Sequence, residues 1–250
     1  MIENSTIHDT SLGATLSTGN YIFRNNHVYD VTADGIGYDG HDILISNNWI
    51  HDNRLPAGGS QHCDFISSNS GGDQVVLRNN TCYSGSHQGI KMGGYMDGRD
   101  QPYSNVAIVN NLFAKVVDSA VNIQFLNVGQ RYRNVLVEHN TFWNGSNVFL
   151  VRDNAILEDI VVRNNIFGPN VVSSYSLSEL YMDYNCFNNG VASGAHSVTG
   201  DPQFMNEGNW NFDLEATSPA KAKGFYFSNI AYDIDWDLRS ATTPTMGAYE

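Results

Sequence analysis

The chain has 250 residues, 13 basic and 26 acidic side chains and a formal charge of −13, with 41% apolar and 16% charged residues. A chain this long can bury a sizeable core as one domain, and its apolar content argues against disorder. The acidic balance disfavours non-specific nucleic-acid binding and anionic lipid surfaces, and no apolar run exceeds four residues, too few for a transmembrane helix. The start, Met1-Ile2-Glu3-Asn4, lacks the basic-then-apolar layout of a signal peptide. The chain is therefore expected to have lost an export signal or to be a piece of something longer. Cys63, Cys82 and Cys186 form neither a CxxC motif nor an even disulfide set.

In chain order, one short pattern recurs: apolar–x–Asn–Asn–x–apolar. An eroded copy opens the chain at Ile2-Glu3-Asn4-Ser5-Thr6-Ile7. Clear copies follow at Phe23-Arg24-Asn25-Asn26-His27-Val28, Ile45-Ser46-Asn47-Asn48-Trp49-Ile50 and Leu77-Arg78-Asn79-Asn80-Thr81-Cys82. Val109-Asn110-Asn111-Leu112-Phe113, Val137-Glu138-His139-Asn140-Thr141-Phe142 and Val162-Arg163-Asn164-Asn165-Ile166-Phe167 continue it, and Met182-Asp183-Tyr184-Asn185-Cys186-Phe187 is a weak last copy. The second residue of each pair falls at 26, 48, 80, 111, 140, 165 and 185, spaced by 22, 32, 31, 29, 25 and 20 residues. Before each pair lies a β-rich stretch such as Val75-Val76-Leu77 or Ile160-Val161-Val162, and a later strand is predicted at 34–38, 64–68, 88–92, 120–125 and 147–152. Such a unit cannot bury its own apolar face, but stacked on copies of itself it can. Asn tolerates left-handed backbone at the turn, and its amide can bond to the Asn one coil above. The pattern predicts an all-β chain, a right-handed parallel β-helix, with coils over 1–199 and a C-terminal tail over 200–250 packing on the last coils.

These Asn-Asn turns resemble those of the bacterial right-handed parallel β-helix repeat proteins of the polysaccharide lyase and epimerase type. The tail is similar too: Gly200-Asp201-Pro202-Gln203-Phe204, Phe212-Asp213-Leu214, Ser218-Pro219-Ala220 and Met246-Gly247-Ala248-Tyr249-Glu250. It departs from that pattern at Lys221, where an apolar residue is usual, and at Leu238-Arg239, where Gly commonly precedes Arg. The resemblance implies a secreted or extracellular protein acting on a polysaccharide, most concretely a lyase. A glycoside hydrolase and a non-catalytic glycan-binding or adhesin module are the alternatives.

Stacking Ile36, Ile66, Ile90 and Ile123 as one inward row sends Gly37, Ser67, Lys91 and Gln124 outward, with Asp34, Asp64 and Gln88 beside them. His62, Asp64, His87, Lys91, Asn122 and Gln124 then gather near one face. Abstraction of a uronate C5 proton followed by elimination needs a base, and Lys91, one of only four lysines, is the candidate. His87 and His62 are alternative bases or acids. Arg131 and Arg133 could clamp a carboxylate while Tyr132 stacks on a sugar. For hydrolysis, Asp64 with Asp34 or Asp39 would supply the carboxylate pair. Asp34, Asp39 and Asp42 are the candidates for a divalent cation, calcium being the possible one, although Asp-Gly pairs are ordinary turn formers. The pairs His8-Asp9, His41-Asp42 and His51-Asp52 read as turn residues, and Cys82 as core. Because 2–7 already reads as part of a coil with no amphipathic helix before it, an uncovered first coil and self-association are expected of a truncated or minimal β-helix.

Overall fold

The computed structural model describes residues 1–55, 63–85, 87–93, 101–116, 121–125, 130–144, 147–151, 155–169, 180–189, 192–227 and 229–250, with backbone only at 115–116, 121–125 and 147–151. Among these residues there is no α-helix, only a short 3-10 turn at Glu207–Asn209. All coil-to-coil strand pairing is parallel. One sheet runs through twelve strands and a second through nine, each strand pairing with its counterpart on the next coil. The fold is the parallel β-helix the repeat predicts.

The Asn pair divides its labour between two positions. The first residue of each pair takes the left-handed turn: Asn25, Asn47, Asn79, Asn110, His139, Asn164 and Tyr184 all have φ between 53° and 56°. Bulky His139 and Tyr184 accept this conformation at a cost that Asn largely avoids. The second residue builds a buried amide column. The backbone N–H of Asn26 donates to Asn48 Oδ1, Asn48 to Asn80, Asn80 to Asn111, Asn111 to Asn140, Asn140 to Asn165 and Asn165 to Asn185, at 2.9–3.1 Å. Each Nδ2 also donates to the next Oδ1. At the last coil the column closes on Ser197 Oγ.

Inside the coils, Ile36 pairs with Ile66, Ile66 with Ile90 and Ile90 with Ile123, as the inward row requires. Rows of Phe113, Phe142 and Phe167 stack with centroids 5.5 and 5.7 Å apart. Cys82 lies fully buried among them.

A second column of left-handed residues was not anticipated. Gln74, Asn105, Asn134 and Asp159 have φ of 53–55°, and they interrupt the pleat between Ser104↔Arg133 and Val106↔Val135. Alternation therefore changes phase across each of these residues.

Residues 200–250 lie along the flank of the nine-stranded sheet. Asn79, Asn110 and Asn164 donate from Nδ2 to the carbonyls of Asp233, Tyr232 and Phe225. Leu112, Ala114 and Trp143 meet Phe212, Ile234 and Ala248 in a small apolar cluster. Arg239, only 2% exposed, donates to Asn110 Oδ1 and to the carbonyls of Thr245, Gly247 and Ala248.

Candidate functional site

The densest polar constellation lies on the strand column 36–38, Ile66–Ser68, Ile90–Met92, Val121–Phe125, where the register sets Gly37, Ser67, Lys91 and Gln124 in one row. Below this row the chain repeats the amide-column device with acids. Asp34 Oδ1 accepts the Asp64 N–H at 3.0 Å, and Asp64 Oδ1 accepts the Gln88 N–H at 3.1 Å. Ser67 donates to Asp34 Oδ2 at 2.5 Å. Two carboxylates thus stand one coil apart, with the deeper one fully buried.

Burial, and then the charge of Asp34, push the Asp64 carboxyl up to about 8, against the pull of Lys91 and the Gln88 N–H. Its Oδ2 has no hydrogen-bond partner among the described residues. Asp64 is therefore mainly protonated at neutral pH. The sign of the linked stability follows: between the unfolded carboxylate value and about 8 the folded state holds the extra proton, so stability falls as pH rises through that window. Asp64→Asn, permanently neutral, is expected to flatten that limb. Urea midpoints from about pH 4 to 9 test this, and an unchanged slope in the variant would count against a protonated Asp64.

Lys91 departs from its expected setting. An outward strand residue should be open to solvent, yet Lys91 is only 8% exposed. Its Nζ donates to Asn69 Oδ1 at 2.6 Å, because the turn after Ser68 folds back over the column. That turn is fixed by Asp39, whose Oδ1 accepts from Ser68 Oγ, Asn69 N and Ser70 N. His87 keeps a partly exposed ring with Nδ1 3.7 Å from Asp64 Oδ1. His62 lies outside the described residues, and of Asn122 and Gln124 only the strand backbone is described.

Three sequence expectations are corrected. Tyr132 cannot stack on a sugar: it is fully buried, its ring lies on Tyr103 with centroids 5.1 Å apart, and its hydroxyl donates to the Met92 carbonyl. The phase change at Asn134 turns Tyr132 inward, although simple alternation from the buried Val135 would turn it out. Arg131 and Arg133 sit not on a turn but on the outer face of the strand Arg131–Glu138, in the column that pairs with Tyr103–Val109 and Ile156–Arg163. Arg131 there pairs with Glu158 at 2.8 Å. They do not share the Lys91 strand column.

The three candidate calcium ligands also do not converge. Asp34 is engaged by Asp64 N and Ser67 Oγ, Asp39 caps the 68–70 turn, and Asp42 is a left-handed residue within the strand Ile36–Ser46 bonded to His41. Among the described residues no group of three or more His, Cys, Asp or Glu could hold a metal. The described residues do not fit calcium at these positions, and no step below passes through it. The pairs His8-Asp9, His41-Asp42 and His51-Asp52 share one geometry, each Asp at φ 54–55° with its carboxylate against the preceding Nδ1, but His41 and Asp42 lie within the strand Ile36–Ser46 and not on a turn.

Sequence reasoning missed the Asp34–Asp64–Gln88 column as a hydrogen-bonded unit. Its signal was present in the acids that precede the inward Ile by two residues, Asp34 before Ile36 and Asp64 before Ile66.

Comparison with known proteins agrees with this architecture. Two solved structures share the fold: pectate lyase Pel9A, with a TM-score of 0.62 at 15% identity over 98% of this chain and 69% of that one, and XylC in complex with xylose, with a TM-score of 0.50 at 15% identity over 92% and 50%. Over 198 residues the chain is 25% identical to the uncharacterized protein YwoF of Bacillus subtilis (strain 168), covering 77% of this chain and 41% of that protein. The chain thus spans about 41% of that relative's length. Residues 1–167 match the family described as the right handed beta helix region. With that match over more than half its length, the chain belongs to the right-handed β-helix family.

Proposed function

We propose that this β-helix acts outside the cell on a polysaccharide, cleaving a uronate-containing chain by β-elimination. The observation that carries the reading is the placement of Lys91, an amine held by the neutral Asn69 amide at 2.6 Å in the middle of a stacked strand column. Successive coils stand about 4.8 Å apart, so residues in one row can touch neighbouring parts of one extended chain. The fold is shared with a pectate lyase and with a protein solved with xylose, which supports a sugar polymer as the substrate class.

In this reading Lys91 Nζ accepts the C5 proton. The C–H electron pair forms the C4–C5 double bond, the C4–O glycosidic bond breaks, and the leaving oxygen takes a proton from His87. The ammonium formed at Lys91 faces the charge that develops on the uronate carboxylate. Asp64 acts as a positioning residue, since its carboxyl holds the Gln88 N–H at the start of the segment carrying Lys91.

One observation favours a second reading. A protonated Asp64 one coil from Asp34 places a proton donor beside a second acidic side chain, the residue types that hydrolysis by a carboxylate pair requires. The two are separated by mixing the protein with uronate polymers. Ultraviolet absorbance from the unsaturated product supports elimination. Reducing ends without that absorbance assign hydrolysis to the carboxylates, and binding with neither signal assigns a non-catalytic module.

A further inference from the structure

Away from the Lys91 column, the tail and the nine-stranded sheet border a shallow open slot that no step above uses. In the outward row of this sheet, His27, Trp49 and Thr81 follow one another on successive coils. His27 covers one face of the Trp49 ring, with centroids 4.3 Å apart and planes 12° from parallel. The next position is Thr81, which has no ring, so the other face of Trp49 overlooks a small side chain. Tyr83 stands to one side at 6.1 Å and 42°, and His51 tilts against the indole at 4.8 Å and 44°. Across the gap the tail supplies Ile234, Asp235 and Trp236, and Asn47 and Asn79 line the same slot of about 300 Å³.

Both tryptophans are open to solvent, Trp49 at 45% and Trp236 at 58%. Trp236 is displayed on left-handed backbone, φ 70°, a conformation that costs a bulky residue on the order of 1–3 kcal/mol. Asp233 holds it there: its Oδ1 accepts the N–H groups of Asp235 and Asp237 at 2.9 and 2.8 Å, and its carbonyl accepts that of Trp236 at 3.3 Å. A three-bond turn thus keeps a large apolar ring in water instead of folding it onto the core.

We propose that this slot binds a neutral segment of a glycan chain, with a sugar ring against the free face of Trp49 and the Trp236 ring. A pyranose carries apolar C–H faces and a rim of hydroxyls. Aromatic walls desolvate the faces, and amides and a carboxylate bond the rim. Asn47, Asn79 and Asp235 supply those acceptors and donors. The slot has no Lys or Arg lining, and Asp213, Asp233 and Asp237 lie close enough to Asp235 to raise its carboxyl together with burial. That field repels a uronate and leaves an uncharged sugar as the fitting occupant. Because the slot opens on a different sheet from Lys91, it would hold polymer without taking part in cleavage.

Isothermal titration of the full chain with xylohexaose and cellohexaose as neutral probes, and with hexagalacturonate as the charged one, tests this. A neutral probe is expected to bind, with Trp49→Ala and Trp236→Ala each weakening it by about tenfold or more. Lys91→Ala should leave that binding unchanged, and hexagalacturonate should be insensitive to both tryptophan changes. Circular dichroism melts check that the variants fold, and Trp236→Ala, at an exposed turn, decides the matter if Trp49→Ala does not fold. Failure of both neutral probes to bind, or neutral binding that survives Trp236→Ala, would overturn the proposal. Neither outcome bears on elimination at Lys91, which is read from product absorbance alone.

Discussion

Replacing Lys91 with alanine is expected to lower the rate of uronate-polymer cleavage by about 10²–10⁴, the usual loss on removing a general base. The measurement is the initial rate of unsaturated-product formation at saturating polymer. Stability should fall as well, by about 1–3 kcal/mol, because the side chain is 8% exposed and its loss strips Asn69 Oδ1 of its bond. Lys91→Arg separates the two effects. It keeps a cation beside Asn69 but cannot be deprotonated, so it should retain most of the stability and none of the turnover. Full activity in both variants would remove the elimination reading, and Asp64→Asn would then be the first test of the hydrolase.

The largest stability effect is expected at the amide column. Asn111 Oδ1 accepts from Asn80 N and Asn80 Nδ2, and its Nδ2 donates to the carbonyls of Leu77 and Val109 and to Asn140 Oδ1. Asn111→Ala leaves Asn80 N, Asn80 Nδ2 and the Leu77 carbonyl without these bonds inside a dry core. Asn80 Nδ2 keeps its bond to the Ile45 carbonyl, so two groups lose these bonds outright, and at about 1–3 kcal/mol for each the total is roughly 2–6 kcal/mol. That is a large fraction of the 5–15 kcal/mol by which domains are typically stable. Asn134→Gly is the control: its amide donates to Asn105 at an exposed site, glycine keeps the left-handed φ of 53°, and the change should cost no more than about 1 kcal/mol. Equal urea midpoints for the two variants would mean that the column is not what holds the coils in phase.

What could be read in advance follows from where the register is pinned. The Asn pair marks every coil, so the inward row Ile36, Ile66, Ile90, Ile123 and the amide column at 26, 48, 80, 111, 140 and 165 were legible from spacing alone. Tyr132 was not, because Asn134 looks like any strand residue while its left-handed backbone reverses the alternation between 132 and 135. Arg131 and Arg133 stay exposed, but on the strand Arg131–Glu138, whose column is not that of Lys91. The burial of Lys91 was hidden for another reason: it depends on Asn69, a residue from a turn one coil away, whose path is set by Asp39. The slot beside Trp49 was equally hidden, since it needs a tail residue 187 positions downstream of Trp49 to complete it.

The amide column also makes the chain divisible. Asn26 and Asn48 are equivalent points 22 residues apart, and His27 occupies the place that Trp49 takes one coil on. Excising 27–48 would join Asn26 directly to Trp49 and leave Asn26 facing Asn80, with the same turn, the same phase and one rung fewer. Lengths of 20 to 32 residues between successive column members already coexist in this molecule. Loss or gain of a whole coil is thus a small edit here, open to a single in-frame deletion or duplication, and the length of the solvent-facing surface can drift without the core being redesigned.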